Sequence, residues 1–591
     1  SYSITTLQFA DRFAPEGFRF LTSFREDAGV HFDYQCDDIR LTKSIYLPDD
    51  SDTVVVAYRF HSLAEPVDFV IRPFVGLRDF HLLQKSYAPL YATEAEDGLL
   101  VRHDVAGSCE LLLACGGADF VKDPQWWFDF LYTSDRERGQ DFNEDLWTPG
   151  FFKARIDAPC EVIFRANLSS EYNSDIAKAP DIGSVRTGLN RRRAEIIAPA
   201  GTDKTLAALF LAAEQFIVTR RTGCEESTTI LAGYPWFADW GRDAFLALPG
   251  LLLAPKRLDP AKSVLTTFAK AAEGGMIPNC FDDYSRTACF NSVDASLWFI
   301  NAAFYYLDAS NEAGWFSESL LPVILSIIEA YRRGARFDIH ADADGLITAG
   351  DADTQLTWMD AKYAGRAFTP RYGKAVEVNA LWYNALMLVA VFLNRTNAGD
   401  SRASDDIFSM AEKARDSFCK VFWNQRLGYL NDCIFPDGSA DATLRPNQIF
   451  AVSLPFSPLQ PETQKCVVEI VRKKLLTAYG LRTLPPDDRR YKGIYTGPRR
   501  QRDEAYHQGT VWPYLIGAFV EAYLKVNKFS RKSKKDAAGF IEPLLSGLSH
   551  RGCVGQICEI CDGEHPHRPR GCFAQAWSVA ELLRAYLLIH G

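Results

Sequence analysis

Carboxylates gather beside aromatic residues in a few short segments of the C-terminal two thirds of the chain. In chain order these segments are 233–243 (GYPWFADWGRD), 276–283 (MIPNCFDD), 354–362 (TQLTWMDAK), 506–513 (YHQGTVWP) and 559–563 (EICDG). An aromatic face can stack on the C–H face of a sugar ring while carboxylates, amides and arginine bond its hydroxyls, so carbohydrate is the first expectation. Hydrolysis of a glycoside needs two carboxyl groups flanking the bond. One is protonated and donates to the leaving oxygen; the other is ionised and activates water or attacks carbon. The candidates are Asp239, Asp243, Asp294, Asp351, Asp353, Asp360, Glu377, Asp503, Glu504, Glu559, Asp562 and Glu564. Asp360 stands out, because Trp358 and Met359 can desolvate it and raise its pKa, as a general acid requires, although Lys362 opposes that shift. Each residue also has a bland explanation. Asp360 could cap a helix, Arg242 and Asp243 could form a salt bridge at a helix start, and Trp512 could pack in a core at the first turn before Pro513. His507 could be a satisfied polar residue, and Glu559, set among Ile557, Cys558, Ile560 and Cys561, suits a buried strand as well as a base.

Composition narrows the partners. The chain has 591 residues and a net charge of −10 with no run of like charge, which argues against a nucleic-acid groove or an anionic membrane surface. Aromatic residues make up 13% of it, which favours a neutral ligand. The start has no basic region leading into an apolar one, so no secretory signal is expected. The longest apolar stretches, 244–254 and 381–393, are broken by Pro249 and Gly250 or by Asn384 and fall short of the ~18 residues a spanning helix needs. Fourteen scattered cysteines fit reduced thiols, and together these features predict a soluble, cytoplasmic protein. Cys558 and Cys561 make a CxxC pair. A zinc site there would need further ligands such as Cys553, Cys572, His565 or His567; no metal or cofactor is expected.

The elements that must hold these segments fall into two textures. Short alternating runs at 17–24, 30–36, 53–60, 68–75, 109–115 and 160–166 predict an antiparallel β-sandwich over residues 1–170. Residues 171–200 lack a strand period and read as a linker that could hold a helix. From 201 to 591 the period is helical. A first helix starts after a Thr202 or Asp203 cap. A second is capped by Asp259, carries Pro260 in its first turn and ends at Gly274 and Gly275. Further helices are expected after Asp243 and near 292–307, 318–333, 375–394, 404–423, 461–478, 509–526, 535–548 and 574–589, about eleven in all. Periodicity does not choose among a solenoid, a bundle array and a closed α/α toroid.

Taken together, 233–243 (GYPWFADWGRD), 357–362 (TWMDAK), 507–513 (HQGTVWP), and Glu559 and Ile560 followed by 571–578 (GCFAQAWS) resemble the bacterial and archaeal glycogen-debranching type of amylo-α-1,6-glucosidase, whose glucosidase portion also forms the C-terminal part of the eukaryotic debranching enzyme. Residues 145–150 (DLWTPG) resemble the N-terminal domain of the same family. The resemblance implies an N-terminal β-sandwich and a C-terminal glucoamylase-like (α/α)6 barrel, with the active site in loops at one end of the barrel. It implies Asp360 as general acid and Glu559 as general base of an inverting hydrolysis, at a carboxyl separation of roughly 6.5–9.5 Å. The substrate-binding set it suggests is Trp236, Asp239, Trp240, Arg242, Asp243, Trp358, Lys362, His507 and Trp512. The fallback base is Glu504 with Asp503, and the fallback acid Asp353 or Asp351. The expected reaction is release of glucose from the α-1,6 branch stub of a glycogen limit dextrin. Residues 1–200 show no recurring strand–helix units of the kind that build a (β/α)8 transferase. Rival readings are another glucoamylase-like α-glucosidase, a phosphorylase using phosphate in place of water, an inactive branched-glucan-binding protein and a helical-barrel sugar epimerase.

Overall fold

Alternating apolar side chains in the N-terminal part pair into two antiparallel sheets. The computed structural model describes all residues except 50, 97, 106–107, 170–180, 223–224, 283–286 and 397–400, and the chain divides into two compact units, Ser1–Glu195 and Ile196–Gly591.

In the first unit the larger sheet runs in the order Leu21–Glu26, Val30–Cys36, Ile39–Tyr46, Thr53–Ser62, Glu161–Ser169, Glu110–Cys115, Gly98–His103 and Leu90–Ala95. The smaller runs Arg12–Glu16, Thr6–Phe9, Asp119–Leu131, Asn143–Ile156 and Val67–Ile71. Leu41, Phe60, Val101, Leu113 and Phe164 from the one meet Ile71, Trp147, Phe152 and Ile156 from the other in a single core, which makes the unit a sandwich. The two longest strands, Asp119–Leu131 and Asn143–Ile156, carry no clean alternation in sequence. Their register slips between Lys122 and Gln125 and again between Trp127 and Phe130, and each slip throws the period of two out of step. The segment 17–24 begins not as strand but as the tight helical turn Gly17–Phe20. Of the expected linker, residues 170–180 lie outside the described residues. Beyond them is the helix Ile182–Ile197, whose Val185 packs on Tyr46, Val55 and Ala57 of the larger sheet and whose Arg186 pairs with Glu161 at 2.6 Å.

The second unit is a ring. Six helical segments, Gly241–Leu248 with its continuation Pro249–Leu253, Ala295–Ser310, Val376–Thr396, the short pair spanning 446–453, Leu515–Val526 and Ala576–His590, each pack on the next, and the last packs on the first. Outside them lie Lys204–Glu214, Leu258–Lys270, Ala313–Arg333, Ser401–Phe422, Pro461–Lys474 and Arg531–Gly547. The toroid is therefore the arrangement among the three that periodicity left open. Inner helices touch protein on all sides: 15 of the 21 residues of Val376–Thr396 are buried, against 4 of 13 in the outer Leu258–Lys270. This explains why Val376–Thr396 is long and apolar enough to cross a membrane by composition, as is Ala313–Arg333. The first and last inner helices approach closely at Gly250, where a Cβ would fall 2.1 Å from the Ala580 carbonyl oxygen.

Helix starts follow local chemistry. Asp203 accepts from the Leu206 amide at 2.9 Å, as a cap should. Asp259 is not a cap: it sits inside the first turn of Leu258–Lys270, and Gly274 and Gly275 lie in a separate turn beyond the helix end. The inner helix at 446–453 went unpredicted because it is short and opens on the polar Pro446-Asn447-Gln448, which reads as loop. Since inner and outer helices alternate along the chain, all six inner helices point the same way. Their N-terminal ends meet at one end of the ring, and nearly all the chemical segments are the loops that enter those ends.

Candidate active site

Arg242 and Asp243 occupy the first turn of Gly241–Leu248, directly after Trp240. The buried Arg242 guanidinium does not pair with its neighbour Asp243. It donates from Nε to both oxygens of Asp294 at 2.9 Å and from Nη2 to Ser292 Oγ at 3.1 Å. Asp294 precedes Ala295–Ser310, so this pair ties two adjacent helix entries together and fixes the guanidinium plane. Asp243 accepts from Gln575 Nε2 at 3.3 Å, across the closure between the first and last inner helices. Burial pushes Asp243 up to about 7; Arg242 opposes the rise, and the negative charges of Glu559 and Asp360 add to it.

Asp360 lies at the end of the loop that leads toward Val376–Thr396, and it is partly exposed. Loss of surrounding water raises it to about 6, against Arg242 and in the same sense as Asp294 and Asp503. The loop beneath it is anchored by Trp358, whose Nε1 donates to Asn447 Oδ1 at 2.8 Å. Asn447 in turn donates to Asp432 at 2.8 Å, and Asp432 pairs with Arg371, which also grips Glu377. Glu377 is thereby committed to a buried ion pair and does not face a substrate. The rings of His507, Trp512 and Tyr514 meet Trp358 edge to face at 5.5, 5.0 and 5.5 Å. Trp358, Trp512 and His507 are 5%, 2% and 1% exposed, so they form the packed floor under Asp360 and offer little open face for stacking. Burial holds His507 neutral, with its pKa well below the ordinary histidine value.

Glu559 enters from the last loop and is 4% exposed. Its Oε2 accepts from the Cys572 amide at 2.8 Å and its Oε1 from the Tyr506 hydroxyl, while its own amide donates to the Cys572 carbonyl at 2.9 Å. Two donors aimed at one carboxyl stabilise its ionised form. Tyr506, at the end of Arg499–Tyr506, stays protonated, since burial and the charges of Glu559 and Asp360 push it well above the ordinary tyrosine value. Gly571 makes room for this carboxylate. Its φ is +67°, and a Cβ there would lie 2.2 Å from Glu559 Oε2. Asp360, Asp243 and Glu559 thus share one electrostatic neighbourhood.

Other expected residues go elsewhere. Asp239 is buried against Arg220 and accepts from Thr229 Oγ1 at 3.1 Å, bracing its loop on the hairpin Ile217–Thr222 and Glu225–Ile230. Lys362 donates to the Asp353 carbonyl at 2.5 Å and so does not face Asp360. Trp236 and Trp240 are half-buried and are the tryptophans of the set with open surface. Asp351 closes its own turn with Thr354, and Asp353 and Glu564 are exposed. Glu504 faces Lys492 at 3.7 Å, whereas Asp503 on the same helix bears on Asp360. Asp562 is bound by the Tyr495 amide at 2.8 Å and by Arg570 at 3.2 Å. The segment 276–283 supplies buried Met276, Ile277 and Asn279, and Asp283 lies outside the described residues. Among the described residues no group of three or more His, Cys, Asp or Glu is placed to hold a metal ion, so Cys558 and Cys561 stand as a pair. Sequence reasoning assigned no role to Tyr506, Gln575, Asn447 or Arg371. The first two lie inside or beside the recognised motifs, and the other two sit in polar stretches that read as ordinary loop.

The ring of helices is an (α/α)6 barrel, and Asp243, Asp360 and Glu559 lie in or beside the loops at the N-terminal ends of its inner helices. A family model described as "Amylo-alpha-1,6-glucosidase" matches residues 211–584, and one described as "Glycogen debranching enzyme N terminal" matches residues 1–163. The chain belongs to the amylo-alpha-1,6-glucosidase family. The glycogen debranching enzyme of Saccharomyces cerevisiae is 27% identical over 472 residues, covering 61% of this chain and 30% of that protein, so the match takes in about a third of the relative's length. A bacterial glucoamylase crystallised with acarbose has a TM-score of 0.62 at 12% identity, covering 94% of this chain and 83% of its own. That likeness is one of fold.

Proposed function

We propose that the chain is a glycoside hydrolase that releases glucose from the α-1,6 branch points of a branched α-glucan such as glycogen limit dextrin, with inversion at the anomeric carbon. Asp360, raised to about 6, is protonated often enough near neutral pH to donate to the leaving oxygen. Glu559, held as an acceptor by Tyr506 and the Cys572 amide, draws a proton from the attacking water. The observation that carries the reading is the pair of carboxyls that both bear on Asp243: Asp360 has a raised pKa, and Glu559 accepts from two donors. Arg242, fixed by Asp294, and the half-buried Trp236 and Trp240 would hold the terminal glucose.

The test follows the anomer of glucose first released from limit dextrin by the wild type, Asp360→Asn and Glu559→Gln. β-Glucose first, with both variants at least ~10³-fold slower, is the expected outcome. α-Glucose first excludes inversion, and full activity in either variant removes that residue from its role. A second assignment has an observation behind it: Asp243 is pushed higher still, to about 7, and could be the proton donor. α-Glucosyl fluoride separates the two, because fluoride leaves without protonation. The true acid's Asn variant keeps its activity on the fluoride and loses it on the dextrin. A phosphorylase would instead need inorganic phosphate and tolerate Glu559→Gln.

A further inference from the structure

Two thiols flank the proposed base. Cys558 and Cys561 bracket Glu559 and Ile560, and their sulfurs stand 3.5 Å apart in a buried setting with Val511 and Tyr479. A small, mainly apolar cavity open to the surface reaches both, walled by Tyr479, Arg551, Gln556, Ile557 and Pro569 as well as the cysteines. Arg551 lies over the Tyr479 ring at 3.7 Å, and its positive charge bears on both sulfurs. The hydrogen bond between the thiols pulls Cys558 below the ordinary thiol value against burial, and pushes Cys561 well above it. Thiolate character therefore collects on Cys558, and the thiolate is the form that attacks an oxidant.

We propose that Cys558 and Cys561 are a reversible oxidation site, in which a small hydroperoxide admitted by this cavity links the two sulfurs and, in doing so, displaces Glu559 and halts turnover. The second half rests on the reading of Glu559 as the base. The Cys558 thiolate attacks one oxygen of hydrogen peroxide; the O–O bond breaks, hydroxide leaves and takes up a proton, and Cys558 becomes a sulfenic acid. The Cys561 sulfur then attacks the Cys558 sulfur. The S–S bond forms, the S–O bond breaks, and the Cys561 proton departs with that oxygen as a second water. Two thiols are oxidised and one peroxide is reduced to two waters. A thiol reductant reverses the oxidation by exchange.

Closing the bond draws the sulfurs from 3.5 Å to about 2.05 Å, a contraction of roughly 1.5 Å across a four-residue segment. That segment has little slack. Ile560 pairs with Arg570, Cys561 with Pro569 and Val511, and Glu559 is bonded twice to Cys572. A misplacement of about 1 Å at a reacting group costs about 10²-fold in rate.

The experiment treats the reduced full-length protein with hydrogen peroxide. Glucose release from limit dextrin is measured beside the mass of the peptide carrying both cysteines, before and after dithiothreitol. We expect that peptide to lose two hydrogens, activity to fall about 10²-fold and both to recover on reduction. Cys558→Ser and Cys561→Ser should be active and keep their activity in peroxide. Absence of the link, a linked protein with full activity, or equal inactivation of the serine variants overturns the proposal. If the reduced protein releases no glucose, the hydrolase reading fails, and the peptide mass still decides whether this is an oxidation site.

Discussion

Replacing Gly571 by alanine tests the whole placement of Glu559 with one methyl group. A Cβ at position 571 would lie 2.2 Å from Glu559 Oε2, whereas ordinary contact begins near 3.4 Å. The carboxylate must retreat by about 1.2 Å, or the loop must move by as much. Either motion strains the bonds from Tyr506 and the Cys572 amide that hold the two carboxylate oxygens. A shift of about 1 Å at a reacting group is worth about 10²-fold, so kcat on limit dextrin should fall by about that factor. The defect should persist on α-glucosyl fluoride, because the base is needed whatever the leaving group. Backbone strain adds a second cost, since φ is +67° and a non-glycine residue there loses about 1–2 kcal/mol of stability. Gly428→Ala separates the two effects. Its φ is +72° and a Cβ there meets nothing within 4 Å, so it should lower the melting temperature comparably and leave kcat alone. A Gly571→Ala enzyme within threefold of wild-type kcat, or a Gly428→Ala enzyme equally slow, refutes the reasoning.

Asp360 gives a paired prediction in rate and stability. With the acid near 6, kcat/KM should fall on the alkaline side about tenfold per pH unit as its proton is lost. Because the folded pKa is raised above the ordinary 3.8, stability is complete below about pH 4 and is lost as pH rises through 6. Asp360→Asn should therefore be more stable than wild type at pH 7 by about 1–3 kcal/mol and equal to it near pH 4, which calorimetry at the two pH values reads directly. Tyr506→Phe removes a donor from the ionised Glu559. It should lower kcat about tenfold, and an unchanged kcat would mean that Tyr506 only packs. Arg371→Met strands Glu377 and Asp432 in the interior and should cost about 3–5 kcal/mol in denaturant unfolding; a loss under 1 kcal/mol would show the network to be dispensable.

Much of the site was legible because its residues are unusual in type and sit in loops. Arg242, Asp360 and Glu559 all bear on Asp243, although nothing in sequence shows that Arg242 reaches past Asp243 to Asp294. Aromatic residues were less informative. Trp358 and Trp512 read as stacking platforms, but a tryptophan that serves as floor has the same neighbours in sequence as one that meets a ligand. Asp239 and Lys362 show the same limit for charges, since their partners Arg220 and the Asp353 carbonyl are set by loop shape. Long amphipathic helices announced themselves within a few residues. The segment 446–453 did not, because an inner helix satisfies its polar side chains inside the ring and so shows no apolar stripe. Among the strands that did not announce themselves, Asp119–Leu131 and Asn143–Ile156 carry register slips, whereas Leu90–Ala95 and Gly98–His103 pair in unbroken register.

The manner in which the ring shuts has a consequence for biosynthesis. Gly233 and Tyr234 form a strand with Ala574 and Gln575, and Gln575 bonds Asp243 across 332 residues of chain. Glu559, the proposed base, lies in the loop that runs into that late strand. A growing polypeptide on the ribosome thus carries Asp360 for some two hundred residues before its counterpart is made, and it stays inert until the final inner helix has left the exit tunnel. Under the proposed reaction, translation interrupted before Glu559 leaves a fragment that carries the acid and lacks the base.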